Sequence, residues 1–332
     1  MFNFLKDILI CPECHGELLW EITDENNTNV IEAEAKCCDC KKIYPVKNGI
    51  GCFVQYENDS DDNWARGENW LKNLIADNPD IREKIMNTAI DEMNAADIMI
   101  KSMICKIEGN HSEATALNKI WRKKAYKEES SAASSAQIEY IVNSLKDEKD
   151  FILDIASGSG RLVSEFLEKT DKLIVSSDIS FNIMQQAKKI AEQNGFGDRV
   201  SYIAFDLNKS PFRDKSVKII TTFVGLQNIS YPEKIFGEIR RICGGKLYSA
   251  CVFCCEDNIV NLKALEEGGL DKTWVKSKYI DEFDRAGFTS VIENSIITLD
   301  EPTPVGEIVK GVKIDGFPVE TGYFEKTVII SS

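Results

Sequence analysis

The sequence predicts an α/β protein in which a parallel sheet is covered by helices on both faces and preceded by a small metal-stapled module. Two observations predict it. From Phe151 onward, short runs rich in β-branched and aromatic residues alternate with amphipathic segments, the pattern of repeated βαβ units. Ahead of them, residues 1–57 carry the paired knuckles Cys11-x-x-Cys14 and Cys37-x-x-Cys40 in a stretch too short for a large core of its own.

In chain order, the knuckles come first. Two CxxC pairs with 22 residues between them can place four thiolates tetrahedrally around zinc. The polar run Thr23–Asn29 reads as a hairpin tip that absorbs the long spacer. Cys38 is a bystander, because choosing it would leave one residue before Cys40. His15 reads as a solvated knuckle residue. A site closed by four sulfurs leaves no open position for chemistry, so the metal is expected to be structural.

Residues 58–140 turn helical. Asn78-Pro79 has the form of an N-cap and first helical position. Ile81, Ile85, Ala89, Met93, Ala96, Ile100, Met103 and Ile107 then recur at helical steps, predicting one long helix that Gly109-Asn110 stops. A second helix is expected from Ala114 to Tyr126. Ser130–Gln137 (SSAASSAQ) looks like a linker into a third. The length of this region, directly before the sheet, fits either a lid that folds over a ligand mouth or helices packed permanently against the sheet edge or the ribbon.

Residues 141–332 carry the alternation. FILDIA, LIVSSD, VSYIAF, VKIITTF and KLYSACVF read as strands, with helices at SGRLVSEFLEK, SFNIMQQAKKIAEQ and YPEKIFGEIRRI. The tail predicts one more helix, KYIDEFDRAGF, and two strands, SVIENSIITL and EKTVII. Cys251, Cys254 and Cys255 mimic a knuckle, but strand alternation sends 251 and 254 to opposite faces, so burial is expected there and at Cys105 and Cys243.

The strongest chemical signal is Asp154-Ile-Ala156-Ser157-Gly158-Ser-Gly160, after a strand and opening a helix. Glycines let the backbone turn sharply and approach a ligand, and the helix start offers unpaired N–H groups. Asp178 closes the second strand, where a carboxylate can accept from a ribose diol. Asp206 closes the third, where it can accept from an adenine amino group. A dinucleotide site competes for this reading, but its fingerprint is GxGxxG, whereas this chain has AxGxG and no third glycine.

These motifs resemble the class I methyltransferases, especially the ubiquinone/menaquinone type and the broad type 11 group. The resemblance covers Ser144 to Phe253 well and the tail loosely, with Ala156 standing for the usual first glycine. It implies a Rossmann-like sheet of order 3-2-1-4-5-7-6 with only the last-inserted strand antiparallel. It also implies S-adenosylmethionine as cofactor, held by Asp154, Ala156, Ser157, Gly158, Gly160, Asp178, Ile179, Asp206, Leu207 and Phe223. Phe223–Asn228 would line the methionine end and the acceptor entrance. No catalytic base stands out; His111, Tyr126, Gln227, Asn228 and Tyr231 are candidates for the pocket. The continuation C-x2-C-x3-YPV-x2-GI resembles the zinc-ribbon family of small activator subunits of tRNA- and protein-modifying methyltransferases. A comparable module precedes a methyltransferase of ribosomal RNA guanine, but its second knuckle uses a histidine absent here.

Composition bounds the partners. At 332 residues, 43% hydrophobic and 28% charged, the chain is ordinary for a globular protein. Its net charge of −14 opposes a grip on phosphate backbones. A small-molecule acceptor is therefore expected, with RNA or protein as the alternative that the ribbon's relatives suggest. No run approaches the ~18 apolar residues of a membrane span. No basic leader precedes the first knuckle, so the cytoplasm is expected, where eleven cysteines mean metal ligation and burial rather than disulfides.

Overall fold

The structure, a computed structural model, describes residues 1–54 and 63–332; the expected boundary at 57/58 lies outside the described residues. The ribbon contributes four strands, β1 (Leu18–Glu25), β2 (Val30–Cys37), β3 (Ile43–Lys47) and β4 (Ile50–Cys52). Its hairpin tip is closed by the Asn26 side-chain oxygen, which accepts from the Thr28 and Asn29 amides. Asn48 and Gly49, both at positive φ, form the two-residue turn between β3 and β4.

Five helices follow: α1 (Asn63–Asp77), α2 (Pro79–Asn87), α3 (Ala95–Ile107), α4 (His111–Ala125) and α5 (Glu128–Leu145). The single helix expected through Ile107 is two. Thr88 is extended, and Asn94 starts α3 afresh by accepting from the Asp97 amide at 3.0 Å. The apolar period runs unbroken because α2 and α3 face the same cluster, which Ile85, Ile98, Ile104, Leu117 and Trp121 fill. The expected linker is also corrected: Ser130–Gln137 lies inside α5, where Ala133, Gln137, Ile138, Ile141 and Val142 are buried. Small residues there let the helix pack closely, and burial overrides their modest helix propensity.

The alternating half supplies β5 (Ile152–Asp154), α6 (Arg161–Lys169), β6 (Ile174–Asp178), α7 (Phe181–Gln193), β7 (Val200–Ala204), β8 (Val217–Phe223), α8 (Glu233–Ile242) and β9 (Cys243–Cys254). Then come α9 (Ile259–Glu267), α10 (Asp271–Trp274), α11 (Lys276–Arg285), β10 (Ser290–Asp300) and β11 (Gly322–Ser331). Strands β5 to β11 take the order β7-β6-β5-β8-β9-β11-β10, which is 3-2-1-4-5-7-6. Only β11 opposes its neighbours.

The sheet does not stop at β7. β4 pairs with it in parallel, Ile50 opposite Tyr202 and Cys52 opposite Ala204, so the ribbon extends one sheet to eleven strands. Leu5, Leu9, Tyr44 and Phe53 of the ribbon share a core with Phe205, Phe212, Ile220 and Phe236. Around that core, Lys209 meets Glu13 at 3.0 Å and Arg213 forks onto both oxygens of Glu17. The Phe53 amide donates to the Ala204 carbonyl, so the chain leaves the ribbon at the C-terminal rim of the parallel strands.

Residues 301–321, between β10 and β11, form a strap over that rim. Asp97, almost wholly buried on α3, accepts from the amides of Glu307, Ile308 and Val309 at 3.0–3.3 Å. Asn94 donates to the Val305 carbonyl, and Val309 packs into the helical cluster. Cys251 and Cys254 are buried in different clusters, as alternation requires.

Candidate active site

β5 is buried on both sides and ends at Asp154, after which the chain turns through Ala156 (φ 49°), Gly158 (φ 52°) and Gly160 (φ 78°) into α6. Three left-handed positions in five residues explain the glycines; Ala156 occupies the third at a cost of roughly 1 kcal/mol. A second loop presses on the turn: a Cβ added at Gly225 would lie 2.7 Å from the Ala156 Cβ and from Thr222 Oγ1. Asp178 fastens the turn to the next strand. Its Oδ2 accepts from the Gly158 amide at 2.9 Å and its Oδ1 from the Ser180 amide at 3.1 Å.

Asp154 is 2% exposed, and its Oδ1 accepts from Thr221 Oγ1 at 2.6 Å. Burial pushes its pKa up to about 6, against the hydrogen bonds from Thr221 and Ser157 and with help from the Asp178 charge. The carboxyl therefore titrates near neutrality at the end of the central strand.

A cavity of about 800 Å3 opens from this turn. Its floor is Asp154, Ala156, Ser157, Gly158, Phe223 and Asn228. Its roof comes from Arg122 and Tyr126 of the cap, the first turns of α5, and the strap from Glu301 to Phe317. Leu265, Leu270 and Trp274 close one side. Two latches join cap to strap: the Tyr126 hydroxyl donates to Asp315 at 2.8 Å, and Lys127 meets Glu301 at 2.6 Å. Burial, then the charge of Asp315, raises the Tyr126 pKa, which leaves the phenol protonated at neutral pH.

Of the residues the sequence singled out, Asp154, Ala156, Ser157, Gly158 and Phe223 line the cavity, as do Tyr126, Gln227 and Asn228. Gly160 caps α6 just behind it. Asp178, Ile179, Asp206 and Leu207 stand outside the cavity walls. Asp178 touches the glycine turn, and the Phe205 amide donates to the Asp178 carbonyl, which sets the two acid-bearing turns side by side. Ile179 is exposed, and Asp206 Oδ1 accepts from the Asn208 amide at 2.8 Å. Tyr231 is an exposed residue against Gly269, away from the cavity. His111 opens α4, and its side chain lies outside the described residues. Sequence reasoning missed the strap, Arg122, Arg161 and the α9–α10 wall. Only Arg161 had a local signal, standing directly after the glycine turn.

At the other end, the Sγ atoms of Cys11, Cys14, Cys37 and Cys40 all lie within 4.8 Å of one another, with Cys11–Cys40 at 3.5 Å and Cys14–Cys37 at 3.4 Å. Tetrahedral zinc at ~2.3 Å from each sulfur needs edges near 3.8 Å, so the donor set fits. Gly16 keeps the approach to the cluster open: a Cβ there would crowd the Cys37 sulfur at 3.2 Å and displace the exposed Asp39 carboxylate. Cys38 and His15 stay outside the cluster.

Residues 153–248 match a family described as "Methyltransferase domain", and residues 3–49 one described as "Trm112p-like protein". The ubiquinone/menaquinone biosynthesis C-methyltransferase UbiE of Hahella chejuensis is 28% identical over 100 residues, which span 29% of this chain and 40% of that protein. The UbiE of Methylococcus capsulatus gives the same identity and shares. The chain thus spans about 40% of the length of the curated relatives it matches. Among solved structures, the YcgJ protein from Bacillus subtilis aligns with a TM-score of 0.47 at 14% identity, covering 59% of this chain and 97% of that one. A SAM-dependent methyltransferase from Aquifex aeolicus aligns at 0.39 and 14%, covering 58% and 88%. The two family matches fall on the rim strands and on the cysteine knuckles, so residues 153–248 are similar to a methyltransferase domain and residues 3–49 to a Trm112p-like protein.

Proposed function

We propose that the chain methylates a small molecule held in the roofed cavity, with S-adenosylmethionine as donor. The observation that carries this reading is the cavity itself: it opens at the glycine turn and is covered by cap and strap, a volume suited to a metabolite-sized acceptor. When bound, the cofactor supplies an electrophilic methyl group on a sulfonium. The chain's work is to align and to exclude water. The positive-φ turn 156–160 lets the backbone approach the methionine end. Asp178 and Asp206, on adjacent turns, are the residues we assign to the ribose and the adenine, with Ile179 and Leu207 beside the ring. Asp154, at the end of the central strand, would face the cofactor's positive charge, which favours its ionised form. Tyr126, bonded to Asp315 and protonated, serves as a hydrogen-bond donor rather than a base. We assign structural zinc to the four cysteines, and we place the reaction in the cytoplasm, where the seven remaining thiols would persist.

Methyl-labelled cofactor incubated with fractionated cell extract tests this: label is expected in the metabolite fraction. Label in RNA or protein alone would favour the other reading, which rests on the Trm112p-like ribbon joining the sheet at the same rim. Asp178→Ala is expected to weaken cofactor binding tenfold or more in a calorimeter. Unchanged affinity would remove Asp178 from the site.

A further inference from the structure

The cavity walls carry five cations in a chain of net charge −14: Arg122, Lys124, Lys127, Arg161 and Lys326. Three of them are committed. Lys127 meets Glu301 at 2.6 Å, Lys326 meets Asp300 at 2.5 Å, and Lys124 donates to the carbonyls of Ile90 and Met93. Arg122 and Arg161 differ. Among the described residues, neither has a carboxylate within ion-pair distance.

Both guanidiniums are instead held in place by aromatic rings. Arg161 sits 4.9 Å from the Phe223 ring centroid and donates to Ser135 Oγ; Arg122 sits 4.6 Å from the Trp121 centroid. They feel each other: burial first, and then the Arg122 charge, lowers the Arg161 pKa. The nearest acids, Asp315 to Arg122 and Glu165 to Arg161, act on them without forming an ion pair, so each guanidinium keeps its fork open to an anionic ligand in the cavity. S-adenosylmethionine brings a single carboxylate, and Arg161, directly after the glycine turn, stands on its side. One guanidinium is left over. Opposite it, Val252, Leu265, Leu270, Trp274, Phe317 and Phe324 form an apolar wall.

Resting on the methyltransferase reading, we propose that the acceptor is a small amphipathic anion, its carboxylate or phosphate on Arg122 and its apolar body against the Trp274–Phe317 wall. Arginine is suited to either oxyanion because its planar fork binds two oxygens at once.

The test uses the whole chain with S-adenosylhomocysteine and three probes of one shape: benzoate, phenyl phosphate and neutral benzyl alcohol, titrated by calorimetry. One of the anions is expected to bind at least tenfold more tightly than the alcohol, and which of them does so names the group. Arg122→Met is expected to erase that preference while S-adenosylhomocysteine affinity stays within threefold of wild type; Arg122→Lys should restore part of it. Equal binding of the alcohol, an anion preference that survives in Arg122→Met, or loss of S-adenosylhomocysteine affinity in that variant would each overturn the assignment. A wild-type chain that binds no S-adenosylhomocysteine would instead sink the methyltransferase reading beneath it, which is a separate result.

Discussion

The ribbon and the helical cap are both attached to the parallel sheet, but by different physics. The ribbon joins through backbone: β4 hydrogen-bonds along β7, and its apolar residues share a core with the sheet. The cap keeps its own cluster, into which Val309, Ile308, Val312 and Ile314 of the strap pack, and polar latches fasten the two together, Asp97 on three amides, Tyr126 on Asp315 and Lys127 on Glu301. A shared core can melt only with the sheet. A polar latch can open locally while both sides stay folded. The cavity lies under the latched side, where opening would admit an acceptor.

The largest effect should come from the metal. Cys37→Ser, or removal of zinc by a chelator, is expected to lower the Tm of the whole chain by more than about 10 °C in a single transition, because the ribbon cannot unfold without exposing the shared core. Differential scanning calorimetry with metal analysis reads this, and two separate transitions would break the comparison. Next is the principal latch. Asp97→Ala leaves three amides without their acceptor and should cost about 3 kcal/mol in denaturant unfolding. Faster hydrogen exchange should be confined to residues 303–315 and the cap; acceleration in the ribbon would contradict the independence claimed for the two sides.

Asp154, at the centre of the rim, adds a pH test. Its folded pKa of about 6 exceeds the ordinary 3.8, so the folded state holds the proton more tightly. That contribution is present below pH ~4 and is lost as pH rises through 6. Wild-type stability should therefore fall between pH 4 and 6 from this group. Asp154→Asn should be more stable than wild type by on the order of 2 kcal/mol at pH 7.5 and equal to it near pH 4. Equal stability at both pH values would refute the raised pKa. The smallest effect belongs to the second latch: Tyr126→Phe loses one hydrogen bond, about 1 kcal/mol, with exchange rising only near Asp315.

Legibility in the sequence followed the range of the interaction. The knuckle spacing stood in the sequence because a zinc tetrahedron constrains neighbours two residues apart. The glycine turn did so because left-handed φ selects residue type locally, and the strand ends at Asp154 and Asp178 because the apolar runs stop there. Helix boundaries inside the cap were harder: Ala89 and Met93 keep the apolar period across the break between α2 and α3, so periodicity alone could not see the Asn94 cap. The Ser130–Gln137 helix was hidden for the opposite reason, a weak local pattern rescued by packing.

By itself the sequence determined the strand alternation, the metal-binding spacing and the turn that defines the rim, since each depends on residues close in the chain. The tertiary structure decided that the ribbon would extend the sheet, that a strap some 210 residues after Asp97 would be tied down by it, and that Arg122 and Arg161 would face one cavity. Those outcomes depend on which buried faces and polar groups find each other across the fold, and no local pattern encodes that meeting.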